Sequence, residues 1–352
     1  MTSKKSVLIT GAQGYLGTKL NNHLVDKGYN VNGIDTGTFK ACNLGSLPKE
    51  SNIITLDSSS LNLSNLKGID AVIDLASNSN DPTSMTDDLD YYMNGIKASS
   101  NLARLCKENG VRYIFPSSCS IYGSTLEICK EESPPRPLTA YSKSKVIIEE
   151  ELSRLSDEAF SPVALRLGTV FGYSPRMRFD IVINMFAGML LTNNRIALNS
   201  NGKAWRPHLY IDDVLRTIES VLDGTFPPRE LTVLNVGNEK NNLTILEAAI
   251  KMAKYFAGSS VSTSVGELSD LHSDKKVKNG VDARNYQVSF KKIRSMFPTQ
   301  EKFTGFEQGF LQLVSDLKEC KLSSSDFFSK KFYRLQYLSE ENRGQESNQI
   351  LK

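Results

Sequence analysis

The sequence predicts an α/β fold: a doubly wound parallel sheet with a smaller second domain interleaved toward the C-terminus. Over the N-terminal half, short β-branched apolar runs alternate with helical patterns. This alternation is typical of a parallel sheet covered by helices. After Gly172 the alternation ends, and 173–209 form a long segment rich in Arg, Met and Asn. We therefore expect a first domain at 1–172 with about 210–238, a second at 173–209 with 239–325, and a C-terminal helix and polar tail at 326–352.

Strands are predicted where apolar residues are bounded by turn residues, and helices where apolar residues recur every three or four positions. The predicted strands are 6–10, 30–35, 52–56, 71–76, 113–118, 162–167 and 231–236. The predicted helices are 14–27, 85–109, 141–155, 210–222, 244–256 and 305–319. Because parallel strands end at one edge of the sheet, we expect the side chains that follow them to meet there.

Charge balance and cysteine usage exclude several classes of function. The chain has 352 residues, with 42 basic and 39 acidic side chains and a formal net charge of +3. That balance is too even for nucleic acid or a membrane surface to be the main partner. Five cysteines without a CxxC spacing predict reduced thiols and a cytoplasmic protein. No metal site, signal peptide or membrane span is expected from the histidine spacing or the apolar runs.

A glycine loop between the first strand and the first helix predicts a dinucleotide site. The loop reads Thr10-Gly11-Ala12-Gln13-Gly14-Tyr15-Leu16-Gly17. The first glycine permits a tight turn, the second lets the backbone approach a pyrophosphate, and the third lets the helix pack on the strand. The helix N-terminus then offers free N–H groups to the phosphates.

Carboxylates at the ends of the next strands support this site. Asp35 ends the second strand, where it would accept hydrogen bonds from ribose hydroxyls and repel a 2′-phosphate, so NAD is favoured over NADP. Asp57 follows the third strand and is expected at the adenine, with a strand-end turn as the alternative. Ala76 and Asn94 are expected to line the cofactor cleft, although Asn94 also suits an ordinary polar helix position.

Three residues predict proton transfer coupled to a hydride reaction. Tyr141 and Lys145 are four positions apart and therefore share one helix face, while Ser118 ends the fifth strand. A free phenol has a pKa of about 10, and a nearby ammonium together with the positive nicotinamide ring is expected to lower the pKa of Tyr141 so that it can act as a base. Ser118 is expected to hydrogen-bond the same substrate hydroxyl.

On these motifs the chain resembles the extended short-chain dehydrogenase/reductase superfamily, and within it the NAD-dependent epimerase/dehydratase family that acts on nucleotide sugars. The resemblance covers about residues 5–320 and depends on 10–17, 117–123 and 141–145. It implies a Rossmann-like fold, NAD, a nucleotide-diphosphate sugar and a homodimer formed through the helices at 85–109 and 141–155. It also implies that Ser118, Tyr141 and Lys145 are catalytic. The NAD contacts it implies are Gly11, Gln13, Gly14, Tyr15, Leu16, Gly17, Asp35, Asp57, Ser58, Leu75, Ala76, Asn94, Tyr141 and Lys145.

The resemblance further implies diphosphate-binding arginines in the second domain. Residues 205–213 are similar to the family's Arg-x-x-x-x-Val-x-Asp stretch, which assigns Arg206 to a substrate phosphate. A guanidinium fork suits this role, and a surface arginine is the alternative. Where related epimerases have Arg-Pro-Gly-Asp, this chain has Asn-Gly-Val-Asp at 279–282, so Arg284 or Lys278 is expected to substitute.

Three further residues are assigned to the substrate site by the resemblance. Asn184 and Arg178 occupy positions where the family contacts sugar or phosphate, and Ser120 stands beside the catalytic serine.

Residues near Ser118 also favour one reaction over others. The family's 4,6-dehydratases place an Asp-Glu pair after the catalytic residue, and its 3,5-epimerases place a cysteine two positions after it. This chain has Cys119-Ser120 there, which disfavours both. We therefore expect an epimerase acting at C4 through a transient 4-keto sugar, with Tyr141 as base. The alternatives are a nucleotide-sugar 4-dehydrogenase or ketoreductase, and a non-catalytic NAD-binding sensor or scaffold.

Overall fold

The computed structural model describes residues 5–46, 52–77, 79, 89–263, 266–267, 283–298 and 302–340. Within these residues the strands are β1 (Ser6–Thr10), β2 (Asn30–Asp35), β3 (Ile53–Thr55), β4 (Ala71–Asp74), β5 (Arg112–Ser118), β6 (Ser124–Cys129), β7 (Val163–Leu167), β8 (Thr169–Phe171), β9 (Arg195–Ala197), β10 (Trp205–Tyr210), β11 (Thr232–Val236), β12 (Asn242–Thr244), β13 (Ser260–Thr263), β14 (Gly266–Glu267) and β15 (Asn285–Val288).

The α-helices in the described residues are α1 (Tyr15–Asp26), α2 (Asp90–Glu108), α3 (Ala140–Leu155), α4 (Val182–Asn193), α5 (Ile211–Asp223), α6 (Ile245–Ala253), α7 (Lys291–Met296), α8 (Phe306–Glu319) and α9 (Ser324–Phe327). Short 3₁₀ turns lie at Ser58–Ser60, Leu63–Leu66, Cys119–Tyr122, Glu239–Asn241 and Lys330–Phe332. Residues 334–340 are again helical.

A seven-stranded sheet with the order β11-β7-β5-β4-β1-β2-β3 forms the centre of the molecule. Every neighbouring pair in it is parallel. The chain runs outward from β1 to β3 and then returns to β4 on the other side of β1, so a crevice opens at the carboxyl ends of β1 and β4. The predicted doubly wound parallel sheet is therefore confirmed, with strand ends that differ by a few residues from those predicted.

Apolar side chains of the helices cover both faces of this sheet. Residues of α1 and α5 pack with the sheet in one buried cluster, and residues of α2 and α3 pack in another. In α5, for example, Val214, Leu215, Ile218, Val221 and Leu222 form one buried face, as the 3.6-residue period requires.

The second part of the molecule has its own buried cluster, built from α4, α6, α8 and the C-terminal turns. Among the described residues three small sheets accompany it, ordered β12-β10-β8, β14-β13-β9 and β15-β6. The sequence prediction left 173–209 without elements, whereas α4, β9 and most of β10 lie there. We missed α4 because Val182–Asn193 is apolar almost throughout, so no polar face marks a helical period.

Several predicted features reach the limits of the described residues. The helix predicted at 85–109 begins at Asp90 among the described residues, and 85–88 lie outside them. Lys278 and the stretch 279–282, proposed as the second phosphate site, also lie outside them, as does the polar tail from 341 onward. In the parts of the chain that the structure describes, no helix has the length and apolar character needed to cross a membrane.

Candidate active site

A cleft of about 1570 Å³ opens at the carboxyl edge of the central sheet. Its walls come from the residues that follow β1, β2, β4, β5 and β7, and from the second part of the molecule. The lining includes Gly11, Gly14, Tyr15, Leu16, Gly17, Asp35, Asp57, Ser58, Leu75, Ala76, Asn94, Ser118, Ser120, Tyr141, Lys145, Arg206 and Arg284. Two of the residues predicted for the site, Gln13 and Asn184, do not line it.

The glycine loop has no room for side chains at two of its three glycines. Gly11 has φ +64°, and a Cβ added there would lie 2.8 Å from the carbonyl oxygen of Leu75. A Cβ on Gly17 would lie 2.1 Å from the carbonyl oxygen of Gly11. The loop is therefore held directly against the end of β4, with its backbone exposed to the cleft, as a phosphate cradle requires.

The N-terminus of α1 carries no protein cap. Gly14 is its N-cap, it makes no side-chain cap hydrogen bond, and the first turn contains no acidic residue. The N–H groups of this turn and the positive end of the helix dipole are thus suited to an anion in the cleft.

Asp35 joins this loop to the segment after β2. Its Oδ2 accepts the Gln13 N–H at 3.0 Å, and its Oδ1 accepts the Gly37 N–H at 2.7 Å. Gln13 therefore contributes its backbone N–H to the carboxylate and is absent from the cleft lining. The contact of Gln13 with the cofactor stays a prediction.

Asp57 also has a structural partner. Its carboxylate caps a short turn by accepting the Ser59 N–H at 2.8 Å, and hydrogen bonds from the side chain and the backbone of Ser59 lower its pKa. The turn that we considered as the alternative is thus present, although Asp57 and Ser58 still line the cleft.

Ser118 and Tyr141 face the cleft from β5 and α3. Ser118 Oγ accepts the Ser120 N–H at 3.1 Å and donates to Ser120 Oγ at 2.9 Å, which fixes the turn after β5. The helix that carries Tyr141 begins at a capping box, in which Thr139 accepts the Ser142 N–H and Ser142 Oγ accepts the Thr139 N–H. This cap sets Tyr141 in the first turn of α3.

Lys145 lies one turn further along α3, beneath Tyr141. Its Nζ lies 5.6 Å from the Tyr141 ring centroid and donates to the Pro116 carbonyl at 3.0 Å. Burial lowers the pKa of Lys145 to about 8, while Asp74 and Glu149 raise it. The ammonium is thus fully enclosed but anchored to β5.

Burial raises the pKa of the Tyr141 phenol to about 12, although Arg178 and Ser118 lower it. The sequence led us to expect that Lys145 and the positive nicotinamide ring together lower the pKa of Tyr141. In the protein alone burial dominates, because the phenol loses solvent and the Lys145 ammonium is directed to a backbone carbonyl. Tyr141 is therefore protonated at neutral pH in this state.

Two buried carboxylates support the floor of the site. Asp74 accepts hydrogen bonds from Thr10 Oγ1 and from the Tyr113 hydroxyl, both at 2.6 Å. Glu149 accepts a hydrogen bond from Ser117 Oγ and pairs with Arg166. We did not single out Asp74 from the sequence, although a lone acidic residue at the end of an apolar strand is the signal that would have found it.

Asn184 is fully buried and ties two parts of the cleft together. Its Oδ1 accepts the Gly172 N–H at 3.0 Å, and its Nδ2 donates to the Tyr15 hydroxyl at 3.2 Å and the Arg178 carbonyl at 3.0 Å. Tyr15 in turn donates to the Gly172 carbonyl at 2.6 Å. The amide is used within the protein and thus has a structural role, while the contact of Asn184 with the substrate stays a prediction.

Arg206 and Arg284 lie together on the side of the cleft formed by β10 and the segment before β15. Arg206 Nη1 donates to the Arg284 carbonyl at 2.6 Å, and its guanidinium carbon lies 5.3 Å from the Tyr286 ring centroid. Nearby, His208 is fully buried. Its burial, and to a lesser extent the charge of Arg206, lower its pKa to about 3. His208 is therefore neutral and does not line the cleft, whereas Arg206 and Arg284 do.

Arg178 is the cation whose charge most lowers the pKa of Tyr141. Its Nε and Nη2 donate to the two carboxylate oxygens of Asp180 at 2.8 and 2.9 Å, and its Nη1 donates to Ser79 Oγ at 2.8 Å. Both Arg178 and Asp180 line the cleft.

Comparison with known proteins agrees with this architecture. Residues 7–237 match the model of the NAD dependent epimerase/dehydratase family. The chain is 30% identical over 234 residues to an uncharacterised UDP-glucose epimerase of Bacillus subtilis, covering 61% of this chain and 72% of that protein. It is 28% identical over 256 residues to a UDP-glucuronate 4-epimerase of Thermodesulfobacterium geofontis, covering 68% and 76%.

A solved structure extends this likeness over most of the chain. The UDP-glucuronic acid 4-epimerase of Bacillus cereus, in complex with UDP-glucuronic acid and NAD, matches with a TM-score of 0.72 at 25% identity, covering 89% of this chain and 99% of that one. The chain therefore belongs to the NAD-dependent epimerase/dehydratase family of extended short-chain dehydrogenases/reductases, and it is an enzyme whose cofactor is NAD.

Proposed function

We propose that the protein is a nucleotide-sugar 4-epimerase in which Tyr141 is the base. The observation that carries the proposal is that Ser118, Tyr141 and Lys145 line the same cleft as the glycine loop. We assign 1–172 with about 210–238 to cofactor binding, and 173–209 with 239–325 to the nucleotide sugar.

The residues of the cleft fit NAD. The uncapped first turn of α1 and the close-packed glycines suit its diphosphate, and Asp35 suits the adenosine ribose. Leu75, Ala76 and Asn94 line the rest of the proposed cofactor site. When bound, NAD supplies a hydride acceptor and a positive charge.

Proton transfer is assigned to the chain's own residues. Tyr141 accepts the proton of the sugar C4 hydroxyl, and Ser118 hydrogen-bonds the same oxygen. Because burial raises the pKa of Tyr141 to about 12, the phenolate needs positive charge close by, which Lys145 and Arg178 provide. After the 4-keto sugar rotates and regains its hydride on the opposite face of C4, Tyr141 returns the proton to the C4 oxygen.

The substrate class is argued from the arginines and the relatives. Arg206 and Arg284 are proposed to hold the diphosphate, since a guanidinium donates two parallel hydrogen bonds to phosphate oxygens. Ser120, which shares a hydrogen bond with Ser118, is proposed to contact the sugar. Because relatives are named as UDP-glucose and UDP-glucuronate epimerases, we propose a UDP-hexose or UDP-hexuronate as substrate.

The purified enzyme is expected to convert such a UDP-sugar to its C4 epimer without lasting change in absorbance at 340 nm. The assay incubates the protein with UDP-, GDP-, dTDP- and CDP-sugars and identifies the products by NMR. A stoichiometric, lasting rise or fall at 340 nm would instead identify the 4-dehydrogenase or ketoreductase. Absence of any product with every sugar would favour the non-catalytic sensor, although such a protein has no need of both Tyr141 and Lys145.

We also propose that the enzyme is a cytoplasmic homodimer assembled through α2 and α3. These helices pack on each other, and Met93, Leu105 and Ile147 remain only partly buried, so they are available for a dimer interface. The proposed cytoplasmic location is supported separately, because the five cysteines are all free thiols, as in a reducing compartment.

The dimer is tested by its mass in solution. Sedimentation equilibrium is expected to give twice the chain mass, and Ile147→Glu is expected to give a monomer. A wild-type monomer at micromolar concentration would contradict the proposal.

A further inference from the structure

The C-terminal segment 333–340 forms part of the wall of the active-site cleft. Arg334, Leu335, Gln336, Leu338 and Ser339 line the same cleft as the glycine loop. The segment is anchored just before this point, because Phe332 is fully buried and its carbonyl accepts the Phe179 N–H at 3.0 Å. Its placement is therefore determined by packing of the second part of the molecule.

This segment also contacts the loop that follows Asp35. The rings of Tyr337 and Phe39 lie 5.8 Å apart, and the guanidinium carbon of Arg334 lies 3.8 Å from the Phe39 ring centroid. The loop follows the strand that ends in Asp35, the residue proposed for the adenosine ribose. The C-terminal segment thus closes over the cofactor side of the cleft.

Arg334 is buried, with an unused donor. Its side chain and backbone together are only 4% exposed, and its Nη1 is enclosed with no hydrogen-bond partner among the described residues. Enclosing a guanidinium N–H without an acceptor is unfavourable, so an acceptor is expected from outside the described chain.

Charge near Arg334 points to an anionic acceptor. The Asp180 carboxylate is engaged by both Nε and Nη2 of Arg178, and it also accepts the backbone N–H of Arg334 at 3.2 Å. The carboxylate is thus hydrogen-bonded by the guanidinium of Arg178, whereas Arg334 reaches it only through its backbone N–H and keeps its own guanidinium charge unpaired with Asp180. Burial, and after it the charge of Arg178, lower the pKa of Arg334 to about 10 against the opposing effects of Cys42 and Asp180. An anion in the cleft would offset the excess positive charge.

We propose that Arg334 binds the diphosphate of the bound dinucleotide, so that the C-terminal segment completes the NAD site. A nucleotide sugar also carries a diphosphate, but in the proposed function Arg206 and Arg284 bind that one. Arg334 lies against Phe39, in the loop that follows Asp35. The inference rests on that assignment of the two sides of the cleft. It makes Arg334 a cofactor-binding residue more than 300 positions from the glycine loop.

Binding measurements on the nucleotide-free enzyme test this directly. Arg334→Gln is expected to raise the Kd for NAD at least about tenfold, the loss expected for one charge-assisted hydrogen bond. ADP-ribose, which retains the diphosphate, should lose the same factor, whereas adenosine and UDP should bind as they do to the wild type. Lys330→Gln removes a charge from the neighbouring turn, and because its ion pair with Glu340 is exposed at both ends and such pairs contribute little, it should leave every Kd unchanged.

Several results would overturn the proposal. One is a Kd for NAD in Arg334→Gln equal to that of the wild type, and another is an equal loss of NAD affinity in Lys330→Gln. The others are that Arg334→Gln loses affinity for adenosine as much as for NAD, or that it loses affinity for UDP and not for NAD. If Arg334→Gln does not fold, hydrogen exchange on the wild type decides, because NAD but not UDP must slow exchange of the amides at 334–340. These readouts do not depend on turnover, so failure of the epimerase assay would leave them interpretable.

Discussion

Replacing Tyr141 with phenylalanine is expected to lower turnover by about 10²–10⁴-fold, the contribution of a positioned general acid or base. The substitution removes only the hydroxyl that takes the C4 proton and keeps the ring that packs near Tyr92, 6.3 Å away between centroids. NAD binding should therefore change little. Turnover is measured by product formation with the identified sugar, and NAD binding by calorimetry.

Tyr92→Phe provides the matched control, because it removes the same atom from the neighbouring ring. Its hydroxyl is given no part in the reaction, and its charge raises the pKa of Tyr141, so activity should stay within a few-fold of wild type. If Tyr141→Phe retains more than about a tenth of the wild-type rate, another group must be the base. So small a loss would be less than a positioned general acid or base contributes. If it loses NAD as well, the lost turnover would have to be attributed to the cofactor site.

The sheet and the two local motifs could be predicted because they depend on neighbours in sequence. Alternation of apolar and helical segments marked the parallel strands, and the glycine spacing marked the turn before α1. The capping box at Thr139 and Ser142, which orients Tyr141, is likewise a local signal. Each of these features is set within a few residues of the chain.

Features that depend on distant packing could not be predicted in the same way. The amide of Asn184 is a chemical group that suits a substrate contact. Its hydrogen bonds with Tyr15 and Gly172 form because α4 packs beside the glycine loop. Arg334 reaches the cleft only because Phe332 is buried in the second cluster. The raised pKa of Tyr141 likewise reflects burial, which a four-residue spacing does not report.

Replacing Glu149 with alanine is expected to reduce the free energy of unfolding by about 3–5 kcal/mol, the cost of leaving a buried charge without its partner. Arg166 donates to Glu149 through Nε at 3.1 and 3.2 Å and through Nη2 at 2.7 Å. The two side chains are only 7% and 8% exposed, so water cannot replace the lost carboxylate. The change is measured by urea unfolding followed by circular dichroism.

Glu150→Ala is the control on the same helix, since that side chain is 58% exposed and pairs only weakly with Arg154 at 3.5 Å. Its cost should stay below about 1 kcal/mol. Adding Arg166→Met to Glu149→Ala should recover much of the loss, because the unpaired charge is then gone. A cost for Glu149→Ala as small as that of Glu150→Ala would mean that Arg166 finds another anion or reaches solvent.

The same pair explains why the catalytic helix holds its register on the sheet. Glu149 lies one turn beyond Lys145, and through Ser117 and Arg166 it attaches α3 to the ends of β5 and β7. Lys145 itself is attached to β5 by a hydrogen bond to the Pro116 carbonyl and by its contact with the Phe115 ring, 4.5 Å from Nζ to the ring centroid. Loss of Glu149 therefore removes the ion-paired attachment beneath Tyr141. Where folded Glu149→Ala protein can be obtained, we expect its turnover to fall more than its affinity for UDP, because the arginines at β10 do not depend on this contact.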